Sequence, residues 1–162
     1  MEKIVLKPIG YVSQGMPVDK TVKWNRWTDP STIIINEEYR PGLEGLEEYS
    51  HVFIIYFMLV SHPAELKIRP RSRADMPEVG VFASRAPSRP NPIGLTVCKL
   101  LEVGEGFLKV VGLDAYTGTP VLDIKPYDYY DIVEKPLVPE WFKRLWLERN
   151  SSADLLRAFE DD

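Results

Sequence analysis

Leu95-Thr-Val-Cys-Lys-Leu-Leu-Glu-Val-Gly-Glu-Gly-Phe-Leu-Lys-Val-Val-Gly-Leu113 is the stretch that decides the fold of this 162-residue chain. Two runs rich in Val, Leu and Phe, Leu95–Val103 and Phe107–Leu113, flank Gly104-Glu-Gly106. A short glycine-containing connection between two such runs is typical of a hairpin, because glycine adopts the positive φ that tight turns require. We therefore expect two antiparallel strands joined by a tight turn.

Six further β-rich runs lie on either side of this hairpin. They are bounded by Gly, Pro or Asp, residues that usually end strands. The runs are Ile4–Val12, Thr32–Asn36, His51–Val60, Glu65–Arg69, Val79–Ser84 and Pro120–Pro126. Because no long helical period separates them, a parallel sheet with crossover helices is disfavoured. The prediction is a mainly β fold, a small closed antiparallel β-barrel.

The C-terminal part of the chain has a different pattern. Pro139–Arg149 begins with proline and carries apolar residues at helical spacing, which predicts a helix. Ser151–Asp154 is predicted to cap a short final helix. We therefore expect a barrel domain over residues 1–135 and a C-terminal helical extension, or tail, over residues 136–162.

Composition narrows the class of protein. The net charge is −4 at pH 7, and no apolar run reaches the length of a membrane span. The N-terminal residues lack the pattern of a secretory signal, so a cytoplasmic protein is expected. The one cysteine, Cys98, is expected in the core. The two histidines, His51 and His62, have no clustered ligands around them, so no metal is expected.

A proline-rich loop precedes the hairpin, with the sequence Arg85-Ala-Pro-Ser-Arg89-Pro-Asn-Pro-Ile-Gly94. Each proline fixes its own φ and restricts the residue before it, so the loop has few conformations to lose on binding. Two guanidinium groups on a stiff loop are suited to hold a carboxylate or a phosphate. The alternative, a rigid turn whose arginines pair with surface acids, stays open.

A second basic element is the row Lys67, Arg69, Arg71 and Arg73, which recur at every second position. In an extended strand this period places all four cations on one face, where they can follow a phosphate backbone. The alternative is an edge strand that uses charge to prevent pairing with other strands.

Several long motifs carry a family resemblance. Val79–Arg85 running into Arg89–Leu95, together with Gly118–Tyr127, resembles the TsaA-like (TrmO) family, and the resemblance extends to Pro8–Tyr11 and Gly42–His51. Members of that family are tRNA methyltransferases that use S-adenosylmethionine and are built on a small β-barrel. The resemblance implies a homodimer that N6-methylates threonylcarbamoyladenosine next to the anticodon in tRNA.

The resemblance and the chemistry of methyl transfer together predict a set of site residues. The arginines of the proline-rich loop are expected to hold the carboxylate of the cofactor, and the turn at 116–119 to read its adenine through backbone donors. The cofactor residues are Arg85, Arg89, Asn91, Gly94, Val97, Tyr116, Thr117, Gly118 and Thr119. The candidate bases are Asp123 and Asp114. The residues expected to contact tRNA are Lys67, Arg69, Arg71, Arg73, Lys125 and Tyr127.

The chain also departs from the family pattern. Thr117 stands where the family usually has Asp, and Met58-Leu59-Val60 replaces an aromatic-His-Gln element. The early loop has Trp24, Arg26 and Trp27, which either stack on a base or pack the end of the barrel. Two alternatives to a tRNA methyltransferase therefore stay open: a non-catalytic barrel that binds S-adenosylmethionine or RNA, and a methyltransferase that acts on a small molecule.

Overall fold

The computed structural model describes residues 3–60 and 63–150, and these group into two compact units. The first unit contains the described residues up to Leu66 and those of Pro87–Asp131; the second contains Lys67–Ala86 and the described residues from Ile132 onwards. Residues 67–86 thus group with the C-terminal segment, whereas the sequence assigned them to the barrel domain. The boundary between residues 135 and 136 stays a prediction. His62 and the cap predicted at Ser151–Asp154 lie outside the described residues.

Of the eight strands in the described residues, six form a closed barrel in the first unit. In chain order the strands are β1 (Gly10–Gln14), β2 (Ser31–Ile35), β3 (His51–Phe57), β4 (Lys67–Ile68), β5 (Val79–Gly80), β6 (Ile93–Gly104), β7 (Phe107–Val111) and β8 (Pro120–Pro126). The barrel has the order β1-β2-β7-β6-β3-β8, closes between β8 and β1, and is antiparallel throughout. The predicted fold class and the hairpin between β6 and β7 are confirmed.

The core of the barrel follows from the alternation of residues along its strands. Successive side chains of a strand point to opposite faces, so every second residue faces inwards. The buried hydrophobic residues of the barrel strands are Val12, Ile33, Ile35, Val52, Ile54, Tyr56, Cys98, Leu108, Val110 and Val121. Burial raises the pKa of the Cys98 thiol to about 12, so the thiol stays protonated and the residue belongs to the core, as expected.

A close approach between β3 and β6 fixes the middle of the barrel. Gly94 lies opposite Tyr56, and a Cβ on Gly94 would be 2.2 Å from Cε2 of the Tyr56 ring. The Tyr56 hydroxyl donates a hydrogen bond of 2.8 Å to the carbonyl oxygen of Asp114 and lies 3.2 Å from Oγ1 of Thr96. Gly94 therefore makes room for a ring that ties β3 to the loop after β7.

Several predicted strands are shorter than expected, among them His51–Val60, which ends at Phe57, and Glu65–Arg69, which is a strand only over Lys67–Ile68. The run from Ile4 begins pairing as a strand only at Gly10, and Ile4 is 84% exposed. Pro8 lies between them and has no N–H to donate to a neighbouring strand, which accounts for the late start. The run from Val79 is a strand only over Val79–Gly80 and continues as a 3₁₀ turn over Val81–Ala83.

The second unit contains a small hairpin of β4 and β5. Lys67 pairs with Gly80, and Ile68 pairs with Val79. After Ile68 the chain forms a 3₁₀ turn over Pro70–Ser72, in which Arg71 has φ of 56°. The prediction of one extended face with four cations is therefore wrong, because the strand ends at Ile68, before the first arginine of the row, and the backbone turns at Arg71.

An ion-pair network connects this turn to the helix of the second unit, α1 (Glu140–Leu147). Arg73 bonds to both carboxylate oxygens of Asp75 and also pairs with Glu148, just after the helix. Arg144 of the helix pairs with Asp75 at 3.0 Å. These cations hold the pKa of Asp75 at about 2, and Arg73 lowers the pKa of Glu148 as well.

Within the described ranges, no helix has the length and apolarity needed to cross a membrane.

Gly94→Ala is expected to destabilise the first unit by about 2–4 kcal/mol, because the new methyl group displaces the Tyr56 ring and breaks its hydrogen bond. Denaturant unfolding measures the change. Gly42→Ala is the matched control, since nothing lies within 4 Å of a Cβ at that position. Equal stability of the two variants would contradict the steric argument.

The Asp75 network makes the stability of the second unit depend on pH. The pKa of Asp75 is lower in the folded state, about 2, than its ordinary value of 3.8. Its stabilisation is therefore fully present above the ordinary value and is lost as the pH falls towards the folded one. We expect wild type to melt above Asp75→Asn at about pH 6 and the gap to close by about pH 2.

Thermal unfolding followed by circular dichroism tests this dependence. Glu78→Gln is the matched control in the same unit, because that carboxylate only approaches Lys67, at 3.9 Å. A melting difference between wild type and Asp75→Asn that stays constant over this pH range would contradict the assignment.

Candidate functional site

The loop between β7 and β8 is held against the start of the barrel by its own backbone. Gly118 donates to the carbonyl of Val12 at 2.7 Å, Thr117 donates to the carbonyl of Met16 at 3.1 Å, and Thr119 donates to the carbonyl of Tyr116 at 3.1 Å. The N–H groups of residues 117–119 are thus already used. They are not available to read adenine, contrary to the sequence-based expectation; the side chains and carbonyl groups of this loop stay candidates.

Thr117 has a structural role that explains part of this arrangement. Its Oγ1 accepts a hydrogen bond of 3.0 Å from the N–H of Gly15. A Cβ on Gly15 would lie 2.9 Å from the carbonyl oxygen of Ala115, so the two segments approach closely. The hydroxyl at 117, where the family usually has a carboxylate, therefore fastens the loop to the segment after β1.

The candidate base Asp114 belongs to a cluster with Arg26 and Trp27, which we call the Arg26 cluster. Nη1 of Arg26 lies 2.8 Å from Oδ2 of Asp114, and Cζ of Arg26 lies 4.3 Å from the centroid of the Trp27 ring. The N–H of Gly112 donates to the carbonyl of Arg26 at 2.7 Å. One guanidinium group thus joins a half-exposed carboxylate to an exposed indole.

The two tryptophans of the early loop differ in their environment. Trp24 is half-buried, and its buried Nε1 has no hydrogen-bond partner among the residues that the structure describes. Trp27 is 65% exposed. Of the two interpretations left open by the sequence, packing therefore fits Trp24, and a contact with a ligand fits only Trp27.

The second candidate base, Asp123, has a different setting. Its Oδ1 accepts a hydrogen bond of 2.9 Å from the N–H of Ile124, and its Oδ2 pairs with Nζ of Lys125 at 2.9 Å. It lines an open cavity of about 440 Å³ together with Ile9, Tyr39, Leu43 and Tyr49. Asp114 does not line that cavity, so the structure does not bring the two candidate bases together there.

The two carboxylates also differ in what they can accept. Both oxygens of Asp123 are engaged, whereas Oδ1 of Asp114 has no hydrogen-bond partner within the described part of the chain. Each ion pair is half-exposed and is worth about 1 kcal/mol or less. Asp114 is therefore the carboxylate with an oxygen open to a proton.

The proline-rich loop is anchored to the barrel at several points. Pro92 accepts a hydrogen bond of 2.7 Å from Met58, and Ser88 accepts one of 3.0 Å from Glu65. Asn91 lines a second open cavity of about 300 Å³, whose other walls are apolar. Arg89 belongs to the first unit and Arg85 to the second, so a joint contact of both arginines with one ligand stays a prediction.

The other cofactor candidates lie on β6. The Tyr56 ring fills the space where a Cβ of Gly94 would lie, so the position has a structural reason to be glycine. Val97 is 40% exposed on the outer face of this strand, where Ile93 and Leu95 are exposed too. These three residues form an apolar strip on the surface of the barrel.

The candidate tRNA contacts are distributed over both units. Tyr127 packs against Phe53, with ring centroids 5.5 Å apart, and Lys125 is paired with Asp123. In the second unit Arg69 donates to the carbonyl of Met76 at 2.8 Å, and Arg73 is held by its carboxylates.

Two cations of the basic row keep a more open environment. Lys67 is exposed and approaches Glu78 only at 3.9 Å. Arg71 is exposed, and no hydrogen bond or ion pair links it to another described residue. The pKa of Arg71 is lowered by desolvation and by the positive charges of Arg149 and Arg73.

A metal centre has no candidate ligands in residues 3–60 and 63–150, where no group of three or more His, Cys, Asp or Glu side chains converges. His51 instead lies 2.9 Å, through its Nδ1, from the hydroxyl of Ser50.

Comparison with known proteins places the chain in a family. Residues 12–132 match the tRNA-methyltransferase O N-terminal domain. A probable S-adenosyl-L-methionine-binding protein of Methanothermobacter thermautotrophicus is 41% identical over 132 residues, 80% of this chain and 93% of the relative. The mouse (Mus musculus) tRNA (adenine(37)-N6)-methyltransferase is 48% identical over 139 residues, 76% of this chain and 31% of the relative.

A solved structure agrees with the sequence comparison. The crystal structure of TrmO from Pseudomonas aeruginosa superposes with a TM-score of 0.67 at 32% identity, covering 84% of this chain and 61% of the solved chain. This chain thus spans less than two thirds of that TrmO chain. The motifs, the closed barrel and the match over residues 12–132 lead to one conclusion: the chain belongs to the tRNA-methyltransferase O family.

Proposed function

We propose that the protein is an S-adenosylmethionine-dependent methyltransferase that N6-methylates threonylcarbamoyladenosine next to the anticodon in tRNA. Family membership supports the methyltransferase activity, and the mouse relative's name supports adenosine in tRNA as the acceptor. The structural observation that carries the proposal is Asp114, whose Oδ1 is open while Oδ2 is held by Arg26. The threonylcarbamoyl group itself comes from the family resemblance.

The side chains present fit the chemistry of S-adenosylmethionine. Its carboxylate needs a cation, and Arg89 and Arg85 are the candidates on the proline-rich loop. Its adenine needs flat or apolar walls with a few polar groups, and the half-exposed Tyr116 and the Asn91 cavity supply residues of those types. Val97 and the side chains of residues 117–119 complete the proposed set.

The proposed chemistry requires little of the protein beyond alignment and removal of a proton. S-adenosylmethionine supplies a methyl group that its positively charged sulfur already activates. Asp114 accepts the proton that N6 of the adenosine loses as the nitrogen gains its new bond to carbon. Arg26 fixes the direction of this carboxylate, and Tyr56 fixes the backbone that carries it. Asp123 is the second candidate for the same role.

The tRNA contacts that we propose differ in strength of support. Lys67 and Arg71 are exposed cations suited to phosphate, since neither is held by a close carboxylate. Arg69 and Arg73 are committed to the second unit, and any contact they make with tRNA would be added to that role. Lys125 and Tyr127 are proposed to contact the substrate from β8 and the residue after it.

We also propose that the protein forms a homodimer. The strip of Ile93, Leu95 and Val97 on β6 continues on β3, where Phe57 is paired with Ile93 and is 39% exposed. Contiguous apolar surface of this kind is a common mark of a protein interface. The dimer implied by the family resemblance is consistent with such a surface.

Asp114→Asn is expected to slow single-turnover methylation of tRNA carrying threonylcarbamoyladenosine by about 10²- to 10⁴-fold, because it removes the proton acceptor while keeping the shape. Affinity for the cofactor and for tRNA should change little. Asp123→Asn is the matched control, and we expect a smaller loss from it. A larger loss in Asp123→Asn would assign the base to β8 instead.

Activity of the wild-type protein distinguishes the alternatives. Tight cofactor binding with no methylation of the correct tRNA would favour the non-catalytic module, an interpretation that the name of the Methanothermobacter relative also allows. Methylation of a small molecule without tRNA would favour the third alternative. Labelled cofactor and nucleoside analysis of total tRNA separate these outcomes.

Arg89→Ala and Arg85→Ala are each expected to weaken S-adenosylmethionine binding roughly tenfold to a hundredfold, the loss typical of a hydrogen bond to a charged group. Calorimetry on the folded variants measures the affinity. Lys99→Ala is the control, an exposed cation on β6 outside both motifs. Unchanged affinity in both arginine variants would remove these residues from the cofactor site.

A further inference from the structure

Trp27 is an exposed ring in the Arg26 cluster that the proposed chemistry does not use. Its side chain is 65% exposed, although indole is among the largest apolar groups in proteins. It lies next to Arg26 in sequence, and the Arg26 guanidinium stacks on its ring. An aromatic ring exposed at the edge of a candidate active site is a candidate surface for binding a ligand.

The backbone that carries Trp27 is held in place before any ligand binds. Oδ1 of Asn25 accepts a hydrogen bond of 3.0 Å from the N–H of Trp27, and Oδ2 of Asp29 accepts one of 2.7 Å from the N–H of Asn25. The carbonyl of Asn25 accepts from the N–H groups of Thr28 and Asp29 at 3.0 Å and 2.7 Å. The loop therefore pays little ordering entropy when a ligand contacts the ring.

The ring itself is also restrained by its neighbours. A Cβ on Gly112, where φ is +100°, would lie 3.6 Å from Cζ3 of Trp27, so the ring edge comes close to this backbone. The guanidinium group on the ring is tethered to Asp114 at 2.8 Å. The indole is thus linked, through one side chain, to the carboxylate that we propose as the base.

We propose that Trp27 is a stacking platform for a nucleobase. A flat aromatic ring accepts the face of any base, and the cation beside it strengthens binding to an electron-rich partner. With Asp114 as the base, the acceptor nitrogen and the methyl group of the cofactor meet beside it, which puts Trp27 close to a base of tRNA and to the cofactor, whose adenine is the other candidate ligand. The inference deepens the proposed function and rests on it for the choice of these two ligands.

Binding measurements test the platform without requiring turnover. Trp27→Leu keeps an apolar side chain and removes the aromatic face, whereas Trp27→Phe keeps a smaller face. The matched control is Tyr130→Leu, because Tyr130 is 98% exposed and no cation of the described residues lies on its ring. The probes are S-adenosylmethionine alone and an anticodon stem-loop RNA, each titrated by calorimetry.

We expect Trp27→Leu to weaken one of the two probes roughly tenfold to a hundredfold, with most of the affinity restored in Trp27→Phe. A loss confined to S-adenosylmethionine assigns the platform to the cofactor's adenine, and a loss confined to RNA assigns it to a tRNA base. Equal losses in the Leu and Phe variants would indicate a merely apolar contact and overturn the proposal.

Two further outcomes would also overturn it. The first is unchanged affinity for both probes in a folded Trp27→Leu protein. The second is a change in self-association alone, which would make the ring part of a contact between copies of this chain. If Trp27 governs nucleobase binding while the wild-type protein transfers no methyl group, the platform stands and the proposed activity fails.

Discussion

The hydrogen bond from the Tyr56 hydroxyl to the Asp114 carbonyl is the constraint on which the candidate site depends. It reaches from the interior of the barrel, where Tyr56 is buried, to the loop that leaves β7. The ring has this reach because Gly94 on the neighbouring strand carries no Cβ. Packing inside the barrel therefore determines the position of the half-exposed Asp114 carboxylate on its surface. Rigid elements position reactive groups more accurately than loops do, and here one side chain passes that rigidity on to a loop.

The sequence predicted those parts of the fold that depend on local patterns. Alternating apolar residues and glycine-rich turns located the strands of the barrel, because both signals act within a few residues. The row from Lys67 to Arg73 led to the wrong prediction of an extended face for the same reason. Its period of two is that of a strand, yet Pro70 and the left-handed backbone of Arg71 turn the chain there. The spacing of charged residues alone does not show whether the backbone that carries them is extended or turns.

The candidate site was less accessible to sequence analysis. Asp114 and Asp123 were proposed because both lie next to the turn at 116–119, but the sequence did not distinguish a carboxylate with an open oxygen from one with both oxygens engaged. The distinction comes from the N–H of Ile124, which bonds to Oδ1 of Asp123, whereas Asp114 is held only through Oδ2 by Arg26, a residue far from it in sequence. The turn before β8 was expected to offer backbone donors, and only its long-range hydrogen bonds to Val12 and Met16 reveal that they are taken. Contacts between distant segments leave no periodic signal.

The connection between β3 and β6 has a further consequence. These strands are neighbours in the barrel, and the chain that leaves β3 returns beside its point of departure, where Met58 donates to the carbonyl of Pro92. The cost of closing a loop grows only with the logarithm of its length. The stability of the barrel therefore depends little on the number of residues between Met58 and Pro92. Lengthening this connection is therefore expected to cost the barrel little stability.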